Sequence, residues 1–225
     1  MNQPLRTLLV QIFEPFGHVL DWLFPRHCQC CNQKDQNIPT LNLCDFCWNL
    51  IFRPQRVIFP NKPDCHVLAA GSYEEFLKRM IIQAKFKHNA ISTDTLNELL
   101  FRTFKFIPYK IDVITSVPSV YWRSLRRGVN LTATLAFELS KKTGIAYQPK
   151  LLQRIRKSDR QTKLSKDKRQ SNTQKLFQSS ALATNQTILV IDDIITTGST
   201  VLSCYRALKK QKPDKVIFLT CAKVR

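Results

Sequence analysis

Glycine is scarce, with five residues in 225. That scarcity removes two common phosphate-binding devices at once. Neither a GxGxxG fingerprint nor a GxxxxGK[ST] loop occurs, which excludes the nucleotide-binding folds built on those turns. Acidic residues are also few, 16 against 35 Lys and Arg, for a formal net charge of +19. Such a field attracts polyanions and repels cationic partners. The excess is uneven. Residues 120–175 hold 15 basic residues against three acids (Glu138, Asp159 and Asp167), which is +12 of the +19. Charge kept only for solubility has no reason to concentrate in a quarter of the chain.

Long apolar runs are missing as well. Glu14, Pro15, His18 and Asp21 break the N-terminal apolar stretch, so it lacks the roughly 20 consecutive apolar residues of a membrane span. No small-residue cleavage site follows Leu20-Asp21-Trp22-Leu23-Phe24-Pro25, so a signal peptide is not expected. Of the four histidines, His18, His66 and His88 have no partner at ligand or catalytic spacing and are expected to be structural, His88 being the exception to watch because it stands near the Lys85–Lys87 patch. Eight cysteines without an export signal point to a reducing compartment, where clustered thiols bind metal more often than they pair as disulfides. A cytoplasmic location is expected, with peripheral attachment to the inner face of the membrane as its variant.

The apolar content of 44% suffices for a real core. The length suits one large domain, or an ordinary domain with a small one. Leu5, Leu8, Leu9, Ile12, Phe13 and Phe16 fall at helical spacing, so residues 1–24 are read as an amphipathic helix docking on the body of the protein. A membrane-surface helix is the alternative, with Arg6 as its one cation. Residues 25–54 are loop-rich and hold five cysteines, and Pro54, Pro60 and Pro63 then punctuate a linker. From about residue 66, strands and helices alternate. Strands are expected at 66–73, 111–117, 187–191 and 215–221, and helices at 75–87, 130–143 and 200–211. Phe76, Met80, Ile81 and Ala84 should face inward from the first helix, and Leu131, Leu135 and Leu139 from the second. Uninterrupted apolar strands between helices imply an α/β fold, a parallel sheet covered on both faces. The polar, basic segment 154–175 reads as a mobile loop.

One strand carries the chemistry. Thr187-Ile188-Leu189-Val190-Ile191 is apolar throughout, and polarity returns abruptly at Asp192-Asp193. Ligands of open α/β sheets bind at the carboxyl ends of strands. Then come Thr196-Thr197-Gly198-Ser199-Thr200, leading into a helix. Gly198 permits the positive φ that turns successive backbone N–H groups inward on an anion. Hydroxyls and the helix N-terminus add donors and partial positive charge. Two carboxylates accepting from a diol, beside a phosphate nest, describe a site for ribose 5-phosphate. An ordinary strand-turn-helix capped by Ser199 or Thr200 would leave the paired acids unexplained.

Cys28 and Cys31 are spaced CxxC, as are Cys44 and Cys47, with 12 residues between the pairs. Two such turns complete a tetrahedral Zn²⁺ site. Cys30 makes the register ambiguous, and His27 is a substitute ligand. So small a module lacks the core to fold alone, and metal binding would supply its folding energy. Redox-active thiols are the alternative. Cys65, Cys204 and Cys221 are expected in the core.

Val190-Ile191-Asp192-Asp193-Ile194-Ile195-Thr196-Thr197-Gly198-Ser199-Thr200 resembles the phosphoribosyl-pyrophosphate (PRPP) signature of type I phosphoribosyltransferases. More of the chain resembles the ComF/GntX family, which includes ComFC-like competence proteins. In that family a double-zinc-ribbon-type cysteine module precedes a phosphoribosyltransferase-like domain. The stretches that carry the resemblance are Phe24-Pro25-Arg26-His27-Cys28 to Cys31 with Leu43-Cys44-Asp45-Phe46-Cys47; Val117-Pro118 with Arg123-Ser124-Leu125-Arg126-Arg127-Gly128-Val129-Asn130; and Arg154-Ile155-Arg156 with Gln161-Thr162-Lys163-Leu164-Ser165, Arg169 and Asn172. Arg127-Gly128-Val129-Asn130 stands where the family usually reads RGFN.

The resemblance implies a type I phosphoribosyltransferase-like parallel sheet with flanking helices over residues 55–225, and a small four-cysteine zinc module over 25–54. It implies that Asp192 and Asp193 hold the ribose hydroxyls, and that Thr196, Thr197, Gly198, Ser199 and Thr200 hold the 5′-phosphate. Val117, Pro118 and Arg123 would lie at the pyrophosphate, and a loop from Arg154 through Lys163 to Arg169 would close over the site, with Mg²⁺ accompanying PRPP. The function implied is a competence protein that handles internalised single-stranded DNA, with a helicase of the ComFA type as partner. A nucleobase salvage phosphoribosyltransferase is the alternative, although no stretch identifies a base-reading pocket. Whether PRPP is consumed or only bound stays open, as does the acceptor. For DNA, Tyr121 and Trp122 could stack on bases, and Arg126, Arg127, Lys166 and Lys168 could meet phosphates.

Overall fold

The computed structural model describes residues 27–33, 43–59, 62, 64–87, 89–118, 130–155, 176–180 and 183–224. The chain divides into two compact units, Met1–Leu50 and Ile51–Arg225. In the first, a turn at 29–31 follows Cys28, and helix α1 (Asp45–Ile51) begins one residue after Cys44. The second CxxC therefore runs into a helix, where the sequence suggested a loop-rich module.

The second unit is built on a five-stranded sheet of order β1-β2-β7-β6-β3. Its strands are β1 (Gln55–Val57), β2 (Cys65–Ser72), β3 (Val113–Ser116), β6 (Thr187–Ile195) and β7 (Lys215–Lys223). All neighbours are parallel except β1, which lies antiparallel on the outer edge of β2. In β7 only the terminal residues escape burial. Such strands read as continuous apolar runs because helices cover both faces.

Helices α2 (Glu75–Phe86), α3 (Ala90–Phe104) and α4 (Leu131–Thr143) pack as a group, α3 on α2 and on α4. α2 buries Phe76, Leu77, Met80, Ile81 and Ala84, and α4 buries Leu131, Leu135 and Leu139, the faces their apolar spacing implies. Helix α5 (Ser199–Lys209) and a small hairpin of β4 (Leu152–Arg154) and β5 (Phe177–Ser179) share another core cluster. Its members include Val113, Ile188, Val190, Val216, Phe218, Val201, Cys204 and Leu208. Side chains alternate between the faces of a strand, so Asp192 shares the side of Ile188 and Val190, while Asp193 shares that of Leu189 and Ile191.

Three features depart from the sequence reading. Helix α3 was not anticipated. Within the expected linker, β1 adds an edge strand. The β4–β5 hairpin brackets the basic segment 154–175, whose two ends therefore enter strands. Cys65, Cys204 and Cys221 are core residues, as expected. The expected N-terminal helix lies outside the described residues.

Candidate functional site

β6 does not stop at the two acids. It stays paired with β7 through Asp192↔Thr220, Ile194↔Ala222 and Ile195↔Lys223. The acids are consequently strand residues on opposite faces, at the carboxyl end of the sheet. Asp192 is 8% exposed, and its Oδ1 accepts the backbone N–H of Asp193 at 2.9 Å. Burial, reinforced by the Asp193 charge, pushes its carboxyl up to about 8, against the pull of the Asp193 N–H and of Lys85. Asp193 meets Lys85 of α2, Nζ to Oδ2 at 2.6 Å, with both side chains mostly buried.

Past Ile195 the chain turns outward. Thr196, Thr197, Ser199 and Thr200 are exposed, while Gly198 is buried between them. Gly198 has φ +75° and ψ 3° and caps α5 with its backbone alone, without a side-chain cap bond. Neither Ser199 nor Thr200 serves as the cap. The hydroxyls engage little else: Thr197 Oγ1 donates to Ser199 Oγ at 3.3 Å and lies 3.5 Å from the Ser199 N–H. The first amides of α5 and a rim of hydroxyls therefore face solvent together. Glycine is favoured here on two counts. The left-handed φ disfavours a side chain, and a Cβ would lie 2.5 Å from Cε1 and Cζ of the Phe59 ring.

Val117 and Pro118 follow β3, which neighbours β6, and the Val117 N–H donates to the Ile191 carbonyl at 2.9 Å. They lie one residue from the acids across the sheet. The Val117 carbonyl accepts from Thr132 Oγ1 at 3.1 Å, tying the segment to α4. Arg154 ends β4 with its guanidinium over the Phe177 ring, 5.5 Å from the centroid. Its charge reaches buried Cys204, whose thiol burial and Asp192 both hold well above the usual range. Arg123, Lys163 and Arg169 lie outside the described residues, as do Tyr121, Trp122, Arg126, Arg127, Lys166 and Lys168.

Sequence reasoning missed Lys85. Its one signal is helical phase: it sits four residues after Ile81 and next to Ala84, flanking the buried stripe of α2. A separate cavity of about 230 Å³ lies toward the amino-terminal ends of β2 and β7. Phe59, Phe106 and Tyr109 line it with Arg56, Lys62 and His66, and no acid does.

In the first unit the ligand atoms of Cys28, Cys31, Cys44 and Cys47 all lie within 4.8 Å of one another. Neither Cys30 nor His27 joins that group. Cys31 and Cys44 Sγ are 3.8 Å apart. Tetrahedral coordination at about 2.3 Å per bond spaces sulfurs by about 3.8 Å, so the cluster suits one metal ion. Burial raises the Cys28 thiol, but backbone N–H groups of Cys31, Cys44 and Cys30 outweigh it and bring it down to about 6. Burial pushes Cys47 far up. Among the described residues, no helix is long and apolar enough to cross a membrane.

Three comparisons bear on this arrangement. The chain is 30% identical over 158 residues to competence protein F of Haemophilus influenzae, spanning 65% of this chain and 67% of that protein. It is 29% identical over 141 residues to DNA utilization protein YhgH of Salmonella typhi, 60% of this chain and 62% of that one. Among solved structures, glutamine PRPP amidotransferase from B. subtilis aligns with a TM-score of 0.44 and 16% identity, covering 62% of this chain and 30% of that one. Residues 83–225 match the model of the phosphoribosyl transferase domain. More than half of the sequence lies in that match, and the chain belongs to the phosphoribosyl transferase domain family.

Proposed function

We propose that this protein binds PRPP with Mg²⁺ and acts in the handling of internalised single-stranded DNA during natural transformation. One observation carries the ligand: a buried strand delivers Asp192 and Asp193 to the carboxyl end of the sheet, and an exposed hydroxyl run leads into α5, whose N-cap Gly198 offers no side-chain cap bond. In this reading Asp192 and Asp193 accept from the ribose hydroxyls. The amides from Gly198 onward, with the hydroxyls of Thr196, Thr197, Ser199 and Thr200, hold the 5′-phosphate. Val117 and Pro118 line the pyrophosphate side with Arg123. Arg154, Lys163 and Arg169 belong to a segment that covers the ligand and excludes water. The residues fit a Mg²⁺–PRPP complex because two adjacent carboxylates stand at the carboxyl end of the sheet beside a hydroxyl-rich turn, and the metal, when bound, would neutralise charge on the diphosphate.

The cysteine cluster supports a structural Zn²⁺ held by Cys28, Cys31, Cys44 and Cys47, since its sulfur spacing suits that ion. In this reading the chain would comprise an N-terminal segment (1–24) for which an amphipathic helix is expected, a zinc module (25–54) and a phosphoribosyltransferase-like domain (55–225). DNA as partner draws support from the similarity to competence protein F and YhgH and from the basic excess over 120–175. Tyr121, Trp122, Arg126, Arg127, Lys166 and Lys168 would contribute to that contact, and a helicase of the ComFA type would act beside it in the cytoplasm. A second reading, nucleobase salvage, draws on the family match alone. Deleting the gene separates the two. The competence reading expects transformation by naked DNA to collapse and an Asp192→Ala/Asp193→Ala allele to fail to restore it. Normal transformation with loss of growth on a free nucleobase would favour salvage instead.

A further inference from the structure

Two adjacent acids in a buried strand need an explanation that reaches beyond the ribose they would bind. Before any ligand arrives, the protein must hold two carboxylates close together, one of them 8% exposed. Burying a charge is costly unless it is paired. Among the described residues the cation paired with this couple is Lys85, 2.6 Å from Asp193 Oδ2. Its own side chain is 20% exposed, so the pair is not one of the solvated surface contacts that contribute little. Lys85 stands in the last turn of α2, where the helix dipole also favours a cation.

We propose that Lys85 is a positioning residue of the 192–200 site, an internal counter-ion to the Asp192–Asp193 couple that holds the Asp193 carboxylate for the ribose diol. The ribose part rests on the reading of this loop as a PRPP site, whereas the electrostatic part concerns the free protein. Asp192 meets the Asp193 charge from its own strand and Lys85 from α2. Cys221 of β7 lies within reach of Asp192, Asp193 and Lys85, and Cys204 of α5 within reach of Asp192 and of Arg154 of β4. Burial holds both thiols well above their usual range, helped by Asp192 at Cys204 and by both acids at Cys221, so they stay neutral and leave the balance to the acids and Lys85. The effect of the ammonium has one sign. It stabilises a carboxylate, so removing it makes Asp192 harder to ionise.

A lysine serving only to pin α2 to β6 would be replaceable by any side chain that packs. Lys85→Met keeps the length and loses the charge, Lys85→Gln is a second neutral variant should Met fail to fold, and Lys85→Arg keeps the cation. Carboxyl ¹³C shifts of aspartate-labelled full-length protein, followed from about pH 4 to about pH 10, report the acids directly. The neutral variants should move the high titration upward by about one pH unit, and Lys85→Arg by much less. Calorimetry with PRPP and MgCl₂ should find the Met variant about tenfold weaker near neutrality, recovering in alkaline buffer as Asp192 ionises. Titrations that superimpose in wild type and neutral variants would overturn the counter-ion role, whatever PRPP does. A shifted titration in a protein whose wild type ignores PRPP would overturn the ribose part and the loop's assignment with it. A Met variant that binds PRPP as wild type does at every pH would overturn the positioning role alone.

Discussion

Replacing Gly198 by Ala puts two separable strains on the loop that α5 starts from. The backbone at this position has φ +75°, and an L side chain there costs about 1–2 kcal/mol. The new Cβ would also lie 2.5 Å from two atoms of the Phe59 ring. Those atoms are the far end of the side chain, but the ring is half-buried and packs against the core cluster of α5 and the sheet. Forcing it aside adds about 1–3 kcal/mol, as overpacking does. The sum, about 2–5 kcal/mol, corresponds to a fall in Tm of roughly 10 °C for a unit of this size. Phe59→Leu in the Gly198→Ala background should remove the second strain and leave the first, giving a favourable coupling of about 1–3 kcal/mol in a double-mutant cycle. The assay is urea unfolding of the four proteins, with PRPP added in a second series. Gly198→Ala should also weaken the PRPP response, because the amides that follow it are re-aimed. A Gly198→Ala protein as stable as wild type, or a cycle without coupling, would refute the argument that this turn needs glycine for both reasons.

Three further outcomes follow from the same geometry. Cys44→Ser should release about one zinc per chain, measured by elemental analysis, while the PRPP response persists; full zinc in both Cys31→Ser and Cys44→Ser would remove the assignment. Asp192 has a folded pKa raised to about 8, so the stability it contributes is complete below the unfolded aspartate value, near 3.9, and is lost as pH rises toward 8. Asp192→Asn should therefore raise the Tm of the free protein at alkaline pH, flatten that slope and abolish the PRPP response together; a slope unchanged by the substitution would contradict it. Replacing Lys163, Lys166, Lys168 and Arg169 by Glu should weaken single-stranded DNA binding across all sequences and flatten its salt dependence, read by fluorescence anisotropy. Equal affinity at low salt would show that DNA binds elsewhere.

The sequence announces β6, β7, α2 and α4 because their burial is carried by apolar residues at a clear period. Helix α3 is hidden by its polar interior. Ser92, Thr95, Asn97 and Thr103 are buried, and the hydroxyls of Thr95 and Thr103 donate to the carbonyls of Ile91 and Leu99 one turn back. Such local bonds let polar side chains enter a core and erase the hydrophobic pattern that would announce a helix. β1 and the β4–β5 hairpin are three residues per strand, too short for an alternating apolar pattern to announce them. The paired acids and the hydroxyl-rich turn are visible in the one-dimensional text because that chemistry sits within nine consecutive residues. Lys85 is more than 100 residues from Asp193 in sequence, and only the packing of α2 against the sheet brings it there. Likewise the CxxC spacing names the four thiols, but their common 4.8 Å sphere is a property of the fold.

The most direct test of the central claim is calorimetric titration of PRPP with MgCl₂ into the wild-type protein and into Asp192→Ala/Asp193→Ala. The account predicts saturable binding at sub-millimolar PRPP by the wild type and none by the double variant, which should remain folded because the strand's apolar run is untouched. Wild-type protein that shows no binding at millimolar PRPP, or a double variant that binds as well as wild type, would contradict it.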